Sequence, residues 1–391
     1  MTTSTARFLT LSLLLLLVSA CVIVVYFPTT AFLVWFAADN DLEGYVEGVM
    51  QVGNFSGSWK DNDLEGYVVE GDLKEMSYPA PWLDVVVAID YHKKEDVLMR
   101  IVENERIVLE KFEQINSGDP EQLRNFLEEY RRSNTVLVIW NHGDWWRGES
   151  LQRVSTKGVA YDSDGDPNYF YFKDFLTINE IKGVLKDNPV TVLAFDACIM
   201  GTFEILWELK DCAKYIVASS KEIPGTGYDY SFLRVSSSVS NLLRKMVEYY
   251  GKRYGSDYSL SVWDTSKLKP IMDTLNEIAN YKEKLSLYAY NVERRKSNGK
   301  DTEMVELGSL AWALMNSGDE GLKTLGEKLL NSIKSARVYG TPSDYTDLLI
   351  YLPRLQNSQD WSFWNDFKAL EDFCDDSSWD ELLESLKGAS R

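Results

Sequence analysis

Histidine and cysteine are both scarce in this chain, with two of the first and four of the second among 391 residues. His92 and His142 stand far apart and form no pair at metal-ligand spacing, which removes the helical zinc-enzyme patterns. Cys21, Cys198, Cys212 and Cys374 contain no Cys-x-x-Cys pair, so a thiol oxidoreductase has no motif to rest on. An excess of positive charge is missing too. The formal net charge is −19, and no Lys/Arg-rich stripe is available to neutralise a phosphate backbone. Nucleic acid is therefore not an expected partner. The acidic surface serves solubility first, and it would also concentrate cationic peptides or metal ions.

The rest of the composition is that of a globular protein, 45% apolar and 13% aromatic. The length allows one large domain or two smaller ones, either with a full core. The first 27 residues stand apart from that fold. Arg7 precedes the apolar run Phe8–Val18, and Val18-Ser19-Ala20-Cys21 closes it with small residues, the pattern of a secretory signal. The same four residues look like a bacterial lipobox, which would make Cys21 the lipidated amino terminus. Val22–Phe27 is also apolar, so Phe8–Phe27 is long enough for an uncleaved membrane anchor. Either reading places the remainder in the cell envelope, outside the cytoplasmic membrane and held to it by the amino terminus. Three Cys then remain, an odd number, and Cys198 is the one expected to stay free. Cys212 and Cys374 are open to a disulfide or to two buried thiols, the commoner state.

Strand-like apolar runs recur at Phe32–Ala37, Leu83–Ile89, Thr135–Trp140, Val190–Phe195, Tyr215–Ser219 and Tyr258–Trp263. Several are continuously apolar, as parallel strands covered on both faces must be. Helix starts lie between them. Asp119-Pro120-Glu121-Gln122 offers an N-cap, a first-turn Pro and a box partner, and Thr177-Ile178-Asn179-Glu180 is a second capping box. Alternating elements point to an α/β sandwich over residues 28–267. Residues 268–391 read as a mainly helical subdomain, including Ile271–Tyr288 and Gly321–Ala336, that returns the strand Leu348–Leu352 to the sheet. An eight-residue identity, Asp-Asn-Asp-Leu-Glu-Gly-Tyr-Val, occurs at 39–46 and 61–68. Two copies are too few for a solenoid; the closely spaced carboxylates could bind a hard cation, and a local duplication on a loop and helix start is the simpler account.

Two of the strand-like runs end in short polar tripeptides. Asn141-His142-Gly143 follows Thr135–Trp140, and Asp196-Ala197-Cys198 follows Val190–Phe195. Carboxyl ends of parallel strands carry the chemistry of open α/β sheets. A His and a Cys delivered to neighbouring strand ends supply a thiolate nucleophile and its proton-transfer partner. Cys198 precedes an amphipathic stretch, Met200–Asp211, and a helix there would favour thiolate. His92 also follows an apolar strand, but Lys93, Lys94 and Glu95 mark an exposed turn and place it outside the site. Asp162, Asp164 and Asp166 alternate like the first ligands of a calcium loop. Lys173 falls where an EF-hand needs its bidentate Glu, so this is not an EF-hand.

Taken together these residues resemble the clostripain family of cysteine peptidases, within the caspase-like group. The likeness runs through Phe36–Glu43, Gly118–Leu123, Trp140–Gly143, Gly158–Asp162, Phe195–Gly201, Leu349–Pro353 and Trp379–Leu383. It implies a caspase-like three-layer sandwich with a mostly parallel sheet. It also implies a peptide or protein substrate cleaved by Cys198, with His142 as general acid for the leaving amine and as ion-pair partner of the Cys198 thiolate. The amides of Gly143 and Cys198 would form the oxyanion hole, and Asp196 would orient His142 or line the pocket. Basic P1 residues in such enzymes are held by a carboxylate. Thr226 stands where that acid is expected, leaving Asp229 or Glu222 to replace it. The resemblance requires no cofactor, although relatives can depend on calcium. It also makes Arg153 and Lys157, in the polar loop Arg147–Asp174, candidates for self-cleavage. The alternative is a catalytically silent, surface-anchored homologue that binds peptides or proteins, with Trp145 and Trp146 as an aromatic shelf.

Overall fold

The computed structural model describes residues 28–39, 65–91, 95–147, 158–162, 174–281, 292, 294–297, 300–343, 346–354 and 360–389. The strands in chain order are β1 (Thr30–Ala37), β2 (Leu83–Asp90), β3 (Asp96–Val102), β4 (Glu105–Phe112), β5 (Asn134–Trp140), β6 (Val159–Asp162) and β7 (Asp174–Leu176). They continue with β8 (Val190–Asp196), β9 (Ala213–Ala218), β10 (Leu260–Asp264), β11 (Arg294–Ser297), β12 (Lys300–Glu306), β13 (Arg337–Thr341) and β14 (Leu349–Tyr351). Nine of them form one sheet in the order β13-β10-β9-β8-β5-β1-β2-β3-β4. Its centre, β9-β8-β5-β1-β2, is parallel, and antiparallel strands finish both sides.

The period of two in the central strands builds three layers. Leu33 and Trp35 of β1, Leu137 and Ile139 of β5, and Leu193 and Phe195 of β8 face one core. That core is shared with helices Pro120–Tyr130, Ile178–Asp187, Lys269–Ala279 and the carboxyl-terminal helices. Phe32, Val34, Phe36, Val136, Val138 and Val192 face the other, beneath helices Glu65–Glu75 and Val239–Tyr254. The α/β sandwich expected from alternating elements is therefore present, with helices on both faces of a mostly parallel sheet.

Local signals formed with two exceptions. Thr177 and Glu180 make the reciprocal capping box. Asp119 caps its helix through the Glu121 N–H at 2.9 Å, but Gln122 turns away and accepts the Asn116 N–H instead. The stretch Met200–Asp211 yields only the short helix Phe203–Glu208, capped by Thr202. The carboxyl-terminal region is mainly helical, with helices at Leu307–Met315, Glu320–Ala336 and Trp379–Ala389. The strand it returns to the main sheet is β13, which pairs with β10. The apolar run expected to do so is β14, and it pairs with β12 in a separate three-stranded sheet. Among the described residues no helix is long and apolar enough to cross a membrane.

Candidate active site

The strands carrying the two tripeptides are direct neighbours. β5 and β8 run parallel with Trp140 opposite Asp196, and the Asn141 N–H extends the ladder to the Asp196 carbonyl at 3.2 Å. His142 and Cys198 therefore lie two residues beyond a paired position, at the same carboxyl edge of the sheet. Their backbones meet at Gly143. A Cβ built there would fall inside van der Waals contact of the Cys198 carbonyl oxygen and 3.0 Å from its nitrogen. Glycine permits that approach and alanine does not. The His142 ring packs beside Tyr161, with centroids 6.0 Å apart.

Cys198 is half-buried against the loop that follows β9. The Ile223 N–H donates to its Sγ at 3.3 Å, and the thiol reaches the Ile223 carbonyl at 3.6 Å. Ile199 adopts a φ of +59°, an outlier for a β-branched residue, and its N–H is held by the Lys221 carbonyl at 3.0 Å. The helix after Cys198 begins only past Thr202, so the thiol lies outside its first turn. The dipole activation expected from sequence does not reach it. Burial instead pushes the Cys198 thiol up to about 11, against the opposing pull of the Ile223 N–H. A thiol raised in this way gains thiolate character only when a base takes its proton.

Asp196 is buried at the end of β8. Its Oδ2 accepts the Tyr228 N–H and the Tyr230 hydroxyl, both at 2.9 Å, and burial pushes it up to about 7. It fixes the segment Gly227–Tyr230. Thr226 donates its hydroxyl to Tyr254 at 2.6 Å, and Tyr254 passes its own proton to the Gly227 carbonyl at 2.7 Å. Asp229 caps the Ser231 N–H at 3.1 Å and lies 3.7 Å from Arg253. Glu222 is exposed beside Ile223, ion-paired with Arg295.

Of the carboxylates singled out for calcium, Asp162 is fully buried, while Asp164 and Asp166 lie outside the described residues. Asp162 sits instead with Asp39 and Asp90, all three buried, with ligand atoms within 4.8 Å of one another. Asp90 is pushed well up, first by burial and then by Asp162. Its Oδ2 accepts the Ser117 N–H at 3.3 Å, and its Oδ1 has no hydrogen-bond partner. That orphaned oxygen and the hard donor set fit a divalent cation. Asp39 belongs to the carboxylate cluster already considered for a hard cation at 39–46, whereas Asp90 was not singled out, although it closes an apolar strand in the sequence. Cys21, His92, Arg153 and Lys157 lie outside the described residues. Cys198, Cys212 and Cys374 are all free thiols.

Trp145 and Trp146 form no shelf. They are 1% and 0% exposed. Trp146 packs on Tyr351 and Phe367, and Arg147 lies over Trp145 at 4.2 Å and over Phe363 at 3.9 Å. They lock the His142 loop onto the carboxyl-terminal helices.

Residues 58–386 match the model of the clostripain family. A stretch of 125 residues is 35% identical to clostripain of Hathewaya histolytica; it spans 29% of this chain and 23% of that protein. Two solved structures share the fold over nearly the whole chain. A secreted C11 cysteine protease of Bacteroides thetaiotaomicron, solved with an irreversible peptide inhibitor, has a TM-score of 0.63 at 17% identity, covering 88% of this chain and 99% of its own. An inactive zymogen C11 protease of Parabacteroides distasonis has a TM-score of 0.62 at 18% identity, covering 91% and 98%.

Proposed function

Because this chain belongs to the clostripain family of cysteine peptidases, we propose that it hydrolyses peptide bonds with Cys198 as nucleophile and His142 as its proton-transfer partner. The observation that carries the reading is the equal step from the Trp140–Asp196 pair to both residues. In this scheme His142 takes the Cys198 proton as the sulfur attacks the scissile carbonyl carbon. The tetrahedral intermediate carries its negative charge on the former carbonyl oxygen, beside the Gly143 and Cys198 backbone. His142 then returns the proton to the leaving amine, and the C–N bond breaks to leave a thioester. Water, deprotonated by His142, releases the acid and restores the thiol. Turnover of a fluorogenic peptide panel by residues 28–391, lost in Cys198→Ala and in His142→Ala, supports this reading. Wild-type turnover unchanged by Cys198→Ala overturns it. A protein that neither alkylates nor cleaves leaves the silent homologue in its place.

The finer assignments follow from the same site. A basic P1 residue is proposed, with Glu222 as its partner: it lies beside Ile223, its charge is felt at Cys198, and an arginine of the chain already occupies it. Thr226 and Asp229 are engaged elsewhere. A calcium ion held by Asp39, Asp90 and Asp162 would neutralise their mutual repulsion and pin the strand ends beside the His142 loop. Calorimetric titration of calcium into the Cys198→Ala protein, abolished by adding Asp90→Asn, tests that site without reference to activity. An extracytoplasmic location is supported by the secreted relative from Bacteroides thetaiotaomicron, and anchoring through residues 1–27 and Cys21 is proposed from the sequence alone. Self-cleavage at Arg153 or Lys157 would give a fragment pair on prolonged incubation, and an intact mass counts against it.

A further inference from the structure

The loop that receives Cys198 is braced from behind by a residue far away in sequence. Asp347 is fully buried, with a φ of +54°. Its Oδ1 accepts the Ser220 N–H at 3.0 Å, the Ser220 hydroxyl, and the Ser259 hydroxyl at 2.6 Å. Its Oδ2 accepts the Ser261 hydroxyl at 2.6 Å. One carboxylate thus ties the end of β9 to β10. Ser219 adds a second layer, its hydroxyl lying 3.2 Å from that of Ser259 and donating to the Lys221 carbonyl at 3.0 Å.

The front of the same loop holds the nucleophile. The Lys221 carbonyl accepts the Ile199 N–H, the Ser219 carbonyl accepts the Gly201 N–H at 2.7 Å, and the Ile223 N–H donates to Sγ. The segment bearing Asp347 also grips the other side of the Cys198 turn, where the Leu349 N–H donates to the Gly201 carbonyl at 3.0 Å. Strained backbone persists only where its surroundings over-determine it. Ile199, next to the nucleophile, and Asp347 are two such residues, joined through Ser220 and Lys221 by one chain of hydrogen bonds.

We propose that Asp347 is a positioning residue for Cys198, setting the thiol's geometry through the segment Ser219–Ile223. This rests on the cysteine-peptidase reading for its turnover arm and is independent of it for its thiol-reactivity arm. Removing the carboxylate leaves the Ser220 N–H and three hydroxyls without their common acceptor, and the loop loses the anchor that aims the Ile223 N–H at Sγ.

The test compares wild type with Asp347→Ala, Asp347→Asn and Ser220→Ala in the full chain from residue 28. Active sites are counted by irreversible labelling and folding is followed by thermal melting. The readouts are kcat and KM per labelled site and the pH profile of Cys198 alkylation by iodoacetamide. Misplacing a reacting group by about 1 Å costs on the order of 100-fold. Asp347→Ala is expected to lower kcat per site by about that factor with KM little changed. Losing the hydrogen bond to thiolate slows alkylation at fixed pH by roughly tenfold. Asp347→Asn, which keeps one acceptor oxygen, recovers part of both, and Ser220→Ala falls between it and wild type. Variants with normal kcat per site and an unchanged alkylation profile, whatever their melting temperature, overturn the proposal. If Asp347→Ala does not fold, the Asn and Ser220 variants decide. If wild type cleaves nothing, the peptidase reading falls and the alkylation profile still decides this one.

Discussion

Replacing Gly143 by Ala is the smallest change that should stop the chemistry while sparing the fold. The added methyl first meets backbone and one sulfur: the Cys198 carbonyl oxygen, the Cys198 nitrogen at 3.0 Å, and the Met200 Sδ at 3.0 Å. Met200 can swing aside, but the Cys198 peptide cannot, since Ile199 and Gly201 on its far side are bonded to Lys221 and Ser219. Relief has to come from separating the His142 loop from the Cys198 turn by something near 1 Å. That displacement costs about 100-fold in rate, or ~2.7 kcal/mol in the barrier. The clash itself costs stability of only about 1–3 kcal/mol, typical of an overfilled contact. The assay is kcat/KM per labelled active site on the best fluorogenic peptide, beside a melting curve. A Gly143→Ala protein that folds and retains kcat/KM within threefold of wild type, a margin set against that ~100-fold expectation, refutes the close approach of the two strand ends.

Glu222→Gln should lower kcat/KM for arginyl peptides by about 10- to 100-fold, the value of a charge-assisted hydrogen bond, and leave a leucyl peptide unaffected; a parallel loss on both peptides would remove Glu222 from the pocket. Asp196→Asn should flatten the stability profile near neutral pH. The native carboxyl titrates near 7 and the unfolded one near 4, so its contribution is complete below about pH 4 and is lost as pH rises through 7. Its Oδ1 has no hydrogen-bond partner, so an amide nitrogen fits there without breaking the bonds from Tyr228 and Tyr230. Melting curves from pH 5 to 8 should show wild type weakening relative to Asp196→Asn; parallel curves would mean that Asp196 is ionised throughout.

The central strands were legible because burial on both faces writes itself as an unbroken apolar run. That holds for β1, β2, β5 and β8, whose ends carry the site. The hairpin β3–β4 was not legible. β4 reads Glu-Arg-Ile-Val-Leu-Glu-Lys-Phe and is exposed along nearly its whole length, so neither face imprints a period. β13 is short and half-buried for the same reason. The opposite error arose at β14, where Leu-Ile-Tyr is apolar enough to promise the main sheet. Apolarity reports burial and not the identity of the neighbour. Trp145 and Trp146 show the same ambiguity, since an aromatic pair beside a strand-end His serves equally as shelf or as core until the carboxyl-terminal helices are seen to cover it.

The site itself divides along a similar line. Residues defined by position on one strand end, His142, Gly143 and Cys198, can be read in sequence because register does the assembling. Residues defined by convergence cannot. Asp347 matters only because Ser220, Ser259 and Ser261 arrive at its two oxygens from two other elements. The protonation state of Cys198 is of this second kind. Sequence offers a following helix and so a thiolate; the fold starts that helix three residues late and buries the sulfur, which raises the thiol. A buried neutral thiol is nucleophilic only once a base is aimed at it. The shared step beyond the Trp140–Asp196 pair, and the Gly143 contact that holds it, are therefore the features on which activity should depend most steeply.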